Sequence, residues 1–255
     1  MEASGETRIQ LCGRFVVRLQ GQRVEDRLPG ALGQVLFAYL VLNRLRPIDR
    51  DELLIAVYGE EATGGHRARL SVLLSKLRRV TGPELVAGRS QLELVLPQDA
   101  FIDLETALDA LHRAEAHVAK GEWAAAWGPA SLAYDVASRP LLRGHDRPWL
   151  EAWRRRLDEV RLSGLECVAA ASLELGGAEQ AQAASCARRL IELAPFRESG
   201  YRILMEALER SGNVAEALRV YDRLRITLRE ELGIPPGSAV QGVYRDLLGK
   251  TTTTG

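Results

Sequence analysis

Covalent and metal chemistry are the first things missing from this 255-residue chain. Its three cysteines, Cys12, Cys167 and Cys186, are odd in number and widely spaced, with no CxxC pair among them. No histidine stands at a zinc-ligand spacing from any of them. The pattern argues against a disulfide framework and for reduced, partly buried thiols in an intracellular protein. Net charge is missing too: 34 basic residues balance 34 acidic ones. That balance argues against a polybasic nucleic-acid binder but leaves room for a local patch. The start, Met1-Glu2-Ala3-Ser4-Gly5-Glu6, is polar and has no signal-peptide core behind it. The longest apolar stretch, Val35 to Leu42, is too short to span a bilayer. A cytoplasmic protein with no membrane partner is expected.

Catalytic sets are absent in the same way. His112 and His117 are five apart and share no helix face. The carboxylate pairs Glu60-Glu61 and Glu230-Glu231 stand at helix ends without a nucleophile or histidine beside them. Gly249-Lys250-Thr251 resembles the end of a phosphate-binding loop, but Tyr244 occupies the required glycine position and a helix precedes the segment. The reading is a non-enzyme with no cofactor and no metal.

What is present is a hydrophobic content of 46%, enough to fill two modest cores, and a change of period along the chain. Ile9, Leu11, Phe15, Val17 and Leu19 alternate with polar residues, which predicts short strands over 8–28. From Leu32 the period becomes helical, with Leu32, Val35, Leu36, Tyr39, Leu40 and Leu42 crowding one side until Arg46-Pro47. Asp49 is placed to cap a second helix, Arg50 to Tyr58, which Gly59 stops. Thr63-Gly64-Gly65 breaks the chain again, and a third helix follows from about His66 to Val80. Leu85-Val86 and Leu92-Leu94-Leu96 then flank a hairpin tip at Ala87-Gly88-Arg89-Ser90. Sheet, three helices and hairpin is the order of a winged helix with an extra N-terminal sheet.

After Pro97 the pattern is helical, over roughly 103–120, 122–137, 148–175, 178–194, 197–211, 214–232 and 238–248. Gly121, Gly176 and Gly212 open turns, each with alanine five residues later: Ala126, Ala181 and Ala217. The last two are 36 apart, near the tetratricopeptide period. The fold class expected is mainly α: a winged-helix domain at 1–100, tetratricopeptide-like helical hairpins at 101–250, and a disordered tail at 251–255.

The third helix carries the functional reading. At about 100° per residue, Leu70, Leu73, Leu74 and Leu77 fall on one arc and should face the core. The opposite arc centres on Ala68, Val72, Ser75 and Arg79, bordered by Arg69 and Lys76 on one side and by Ser71 and Arg78 on the other. Between 62 and 89 stand six cations, Arg67, Arg69, Lys76, Arg78, Arg79 and Arg89, against one anion, Glu84. Small residues along the centre and cations at the borders suit a helix lying in a major groove. Val72, Ser75 and Lys76 are assigned to base edges, and Arg78 and the wing residue Arg89 mainly to the DNA backbone. A solvated amphipathic helix gives the same local pattern, and the position after two short helices and before a hairpin tipped by Arg89 favours the groove reading. The aromatic pairs Trp123/Trp127 and Trp149/Trp153 read as packing anchors. Arg154-Arg155-Arg156, followed by Asp158 and Glu159, reads as a self-paired solvated face.

Four stretches carry a family likeness: Leu36-Phe37-Ala38-Tyr39-Leu40-Val41-Leu42-Asn43, Leu73-Leu74-Ser75-Lys76-Leu77-Arg78-Arg79, Ala194-Pro195-Phe196-Arg197-Glu198, and, strongest, Gly212-Asn213-Val214-Ala215-Glu216-Ala217-Leu218-Arg219-Val220-Tyr221, running on to Glu230-Glu231-Leu232-Gly233-Ile234-Pro235-Pro236. Together they resemble the Streptomyces antibiotic regulatory protein (SARP) type of activator, an OmpR-type winged helix joined to a bacterial transcriptional activator domain. Tyr58 stands where the family usually has tryptophan. The resemblance implies an activator that binds repeated promoter elements on double-stranded DNA and recruits RNA polymerase holoenzyme. It also implies that the helical domain supports regulation or a homodimer. The rival reading is a helical-repeat scaffold that keeps the winged-helix shape without binding DNA.

Overall fold

The period-two stretch at the N-terminus pairs as expected, but two strands that sequence does not reveal complete the sheets. The computed structural model describes residues 6–60 and 64–253. Strands β1 (Arg8–Gln10), β2 (Val16–Leu19) and β3 (Gln22–Arg23) form an antiparallel meander. Ile9, Leu11, Val17 and Leu19 point into the core. Helix α1 (Gly30–Leu42) follows, then β4 (Ile48–Asp49), α2 (Arg50–Tyr58) and α3 (Gly64–Thr81). A hairpin of β5 (Val86–Ala87) and β6 (Gln91–Leu94) forms the wing. Strand β7 (Phe101–Ile102) then returns to lie parallel to β1, with Ile9 opposite Ile102. The two sheets run β3-β2-β1-β7 and β4-β6-β5. Strands β4 and β7 are two residues each, too short to leave a periodic signal.

Helix α1 departs from the one-sided stripe expected of it. Val35, Leu36, Phe37, Ala38, Leu40 and Val41 are all buried, while Leu32, Tyr39 and Leu42 are only half-buried. It is the central helix of its unit, wrapped on most sides, so its apolar residues run around it. Asp49 sits at the extended position that starts α2, but its side chain makes no capping hydrogen bond. The part of the 63–65 break that falls on Thr63, and Glu61 of the carboxylate pair, lie outside the described residues. So do 1–5 and 254–255.

From Asp103 onward no strand occurs among the described residues, only the isolated bridge of Leu141 to Cys12, and the elements are α4 (Asp103–Ala119), α5 (Trp123–Ala137), α6 (Pro148–Leu175), α7 (Gln180–Leu193), α8 (Glu198–Arg210), α9 (Val214–Leu232) and α10 (Ser238–Thr253). Backbone helix thus continues through 251–253, where a disordered tail was expected. The chain divides into two compact units, Met1–Thr106 with Arg139–Leu157, and Ala107–Ser138 with Asp158–Gly255. Within the second, α7 to α10 share one core built around Tyr201, Met205, Leu224 and Leu247. Helices α5 and α6 cross closely at Gly164, where an added Cβ would stand 3.0 Å from the Tyr134 amide nitrogen. The glycine–alanine repeat holds at its ends, since Ala126 and Ala217 are fully buried, but Ala181 is exposed and Ala183 is buried instead. A short turn, Gly177–Glu179, is inserted before α7 and shifts the packing position by two residues. Arg154, expected to pair four residues onward, pairs instead with Glu151 and with Asp146.

In the first unit, residues 139–157 are stitched onto the N-terminal core. Gly13 donates to the Pro140 carbonyl (2.9 Å) and Leu142 to that of Leu11 (3.0 Å). Trp149 packs edge-on to Tyr39, centroids 5.0 Å apart, and its indole donates to the Ala56 carbonyl at 3.0 Å. The anchor beneath this segment is Asp103, which opens α4 and is almost wholly buried. Its carboxylate accepts from the backbone N–H groups of Leu11 (3.0 Å to each oxygen), Cys12 (2.8 Å) and Leu104 (2.9 Å). Burial pushes the carboxyl above its usual range, and those donors together with Arg139 pull it back. Replacing Asp103 by alanine strands the Leu11 and Cys12 amides in a fully buried site. A buried donor left unpaired costs about 1–3 kcal/mol. Thermal melting of the full Asp103→Ala chain should therefore fall by several degrees, and an unchanged melting temperature would show that the clamp is idle.

Candidate nucleic-acid interface

Helix α3 turns its leucines inward. Leu70, Leu74 and Leu77 are essentially inaccessible and Leu73 is buried. Ala68, Arg69, Ser71, Val72, Ser75, Lys76 and Arg79 are all exposed in consequence, and Val72 is 55% exposed in the middle of the row. An open groove runs along this face towards Arg27 and Gly30, lined also by Tyr58, Arg69, Val72, Lys76 and Arg79. No carboxylate is among its lining residues. Arg69 lies close enough to Tyr58 to offset part of the rise that burial imposes on the tyrosine hydroxyl. The Tyr58 ring meets that of His66 at 4.8 Å, at the point where α2 gives way to α3.

The eight residues singled out from the sequence separate into two groups. Arg69, Val72, Ser75, Lys76, Arg79 and Arg89 are exposed, and among the described residues no ion pair engages the four cations of that set. Arg67 and Arg78 are engaged. Arg67 pairs with Asp51 of α2 at 2.9 Å, both side chains well exposed. An exposed pair of this kind is worth little energy, but it brings a carboxylate to the edge of the basic face that counting over 62–89 leaves out. Arg78 is half-buried and turned onto the wing, donating to the carbonyls of Val86 (2.9 Å) and Gly88 (2.5 Å). The sequence pattern assigned it to the DNA backbone because its angle on the helix lies at the border of the outward face. The hairpin that folds back over that border is invisible to the angle.

Sequence reasoning passed over Arg50, the first residue of α2. Its guanidinium donates to Ser71 Oγ of α3 (2.7 Å) and to the Arg89 carbonyl (3.3 Å), and its amide donates to the Ser90 carbonyl (3.3 Å). No local signal marks it, because its partners are 21 and 39 residues away. The wing is thus held from both sides, and the exposed Arg89 side chain leaves from a fixed backbone. Among the described residues no group of three or more histidine, cysteine or acidic side chains is placed to share a metal ion. No described helix is long and apolar enough to cross a membrane. What the face offers is charge, small side chains and one exposed branched aliphatic.

Residues 102–248 match the family described as bacterial transcriptional activator domain. The chain belongs to that family, and it is of the SARP type. The regulatory protein AfsR of Streptomyces coelicolor is 32% identical over 248 residues, a span covering 97% of this chain and 25% of AfsR. The transcriptional regulatory protein EmbR of Mycobacterium tuberculosis is 29% identical over 93% of this chain and 62% of its own length. The chain therefore spans a quarter to three-fifths of these relatives. Mycobacterium tuberculosis EmbR, solved in complex with a low affinity phosphopeptide, superposes with a TM-score of 0.82 at 24% identity, over 98% of this chain and 66% of that one. At that identity the likeness is one of fold. That likeness of fold takes in the residues before 102 as well, where the family match does not reach.

The wing of this SARP-type chain turns on one glycine. Gly88 has φ of +85°, and a Cβ there would lie 1.9 Å from the Gln91 carbonyl oxygen. No rotamer relieves a backbone collision, so the hairpin must open. Strain of this kind costs about 1–3 kcal/mol. A Gly88→Ala chain should melt a few degrees lower, with faster amide exchange across residues 86–94. Wild-type exchange in that segment would mean that the tip is not constrained as described.

Proposed function

We propose that this protein is a transcriptional regulator that binds double-stranded DNA by laying the outward face of α3 in the major groove, with the wing against the flanking backbone. The observation that carries the reading is the exposed row Ala68, Val72, Ser75 with Arg69, Lys76 and Arg79 beside it, in a chain of zero net charge. A solvated helix face gains nothing from being free of carboxylates, whereas a phosphate-binding face requires it. Lys76 and Ser75 have the reach to meet base edges, and Val72 suits a thymine methyl. Arg69, Arg79 and Arg89 serve the phosphates. Membership among SARP-type regulators supplies the rest of the proposal: activation, with RNA polymerase holoenzyme as the protein partner and the helical unit supporting regulation or a homodimer.

Four free cations set a scale for the test. If all of Arg69, Lys76, Arg79 and Arg89 neutralise phosphates, the logarithmic salt slope approaches about −3.6 per protomer, at roughly 0.9 per contact. Titration of the full chain against a random 30-base-pair duplex at several salt concentrations should give a slope between about −2 and −4. On promoter DNA, Lys76→Ala should lose about 1–3 kcal/mol of discrimination over random duplex if the lysine reads a base. A slope near zero, or no binding at low salt, would leave the helical-scaffold reading in place of this one.

A further inference from the structure

Resting on that reading, we propose that Arg50 and Arg78 are positioning residues that hold the wing against α3, and that neither touches DNA. The hairpin cannot hold its own tip. Strands β5 and β6 pair at two positions, Val86 with Leu94 and Ala87 with Glu93, with one more backbone hydrogen bond from Val95 to the Leu85 carbonyl (2.9 Å) at the end away from the tip, and so short a ladder is marginal by itself. On its far side β6 pairs with β4 over two more, Ile48 with Leu92 and Asp49 with Gln91. The tip at 88–90 lies beyond these pairings. Its carbonyls are satisfied instead by arginines: Gly88 by Arg78, and Arg89 and Ser90 by the side chain and amide of Arg50.

A guanidinium suits this work because its donors are fixed in one plane and meet two carbonyls at once. Arg78 spends Nε on Val86 and Nη2 on Gly88. Arg50 spends one nitrogen on the tip and another on Ser71 Oγ, which in turn donates to the Arg67 carbonyl at 3.0 Å. The tip is thereby referenced to the outward face of α3 through Ser71. Both arginines are half-buried, in contrast to the exposed Arg69, Lys76, Arg79 and Arg89. Fixing the wing beforehand removes part of the ordering cost that Arg89 would otherwise bear on binding.

Charge and shape separate a positioning arginine from a phosphate contact. A phosphate contact is largely kept by lysine and takes about 0.9 from the salt slope when lost. A forked contact to two carbonyls is not kept by lysine, and its loss weakens binding without altering the slope. The experiment compares wild type, Arg50→Ala, Arg78→Ala, Arg78→Lys and Arg89→Ala as full chains on a random 30-base-pair duplex over a salt series. Amide exchange of residues 86–91 is followed without DNA, and peptides from 107–250 report that each variant is folded. The Arg50 and Arg78 variants, lysine included, should bind roughly 3- to 10-fold more weakly at unchanged slope, the loss expected when one or two side chains must be ordered on binding. Their wing amides should exchange faster. Arg89→Ala should lower the slope by about 0.9. A slope reduced in Arg78→Ala and restored in Arg78→Lys would overturn the proposal, as would wing exchange unchanged in both alanine variants. Failure of the wild type to bind duplex would sink the DNA reading itself, while the exchange measurement would still decide whether the clamp exists.

Discussion

Burial of the leucine stripe on α3 is the constraint on which everything proposed for this protein depends. Leu70, Leu73, Leu74 and Leu77 leave water together, at about 1.5–3 kcal/mol each by area. That sum fixes the rotation of the helix about its axis, because a turn of even one residue would drive a leucine out and Arg69 or Ser75 in. The face presented to solvent is therefore set by what the opposite face buries. Ala68, Val72, Ser75 and Lys76 are outward because they are what the leucines leave over. In a chain whose charges cancel overall, the absence of carboxylates from that face is then a matter of sequence placement.

The arginines around this face divide their labour according to what lies within reach. Arg78 is at the C-terminal end of α3, where the wing passes close, and its planar group is absorbed by two carbonyls. Arg67 is at the other end, where Asp51 is within reach across α2. Arg69, Lys76 and Arg79 face the groove instead. Arg50 belongs to neither α3 nor the wing and touches both. The proposed surface thus joins helices to a hairpin tip whose carbonyls are held by side chains. Asp103 does comparable work elsewhere in the unit, where four hydrogen bonds from three backbone amides tie the start of α4 to the end of β1.

Much of this was legible in the sequence, and the rest was not for identifiable reasons. The stripe on α3 and the stop at Gly59 are local, and periodicity reads local order well. The outward exposure of Val72, Ser75 and Lys76 follows directly from the stripe. The engagement of Arg78 and Arg50 depends on where a hairpin folds back in space, which no angular plot of one helix contains. The same holds for the return of 139–157 to the N-terminal core, made by backbone hydrogen bonds at Leu11 and Gly13 and by Trp149 on Tyr39. The misplaced repeat at Ala181 has another cause: a three-residue turn inserted before α7 keeps the glycine and moves the packing position. The two-residue strands β4 and β7 were too short to show, and they are identifiable only by their partners.

One substitution tests the central claim most directly. Val72 is more than half exposed at the middle of the outward row, so a glutamate there alters the face and leaves the leucine core alone. The account predicts that Val72→Glu melts like the wild type, because surface changes of this kind stay within about ±0.5 kcal/mol. It also predicts that duplex binding at low salt falls by roughly tenfold or more, through placing an anion against phosphates and base edges. A Val72→Glu chain that is folded and binds duplex as the wild type does would contradict the account, because it would place the outward face of α3 away from the DNA.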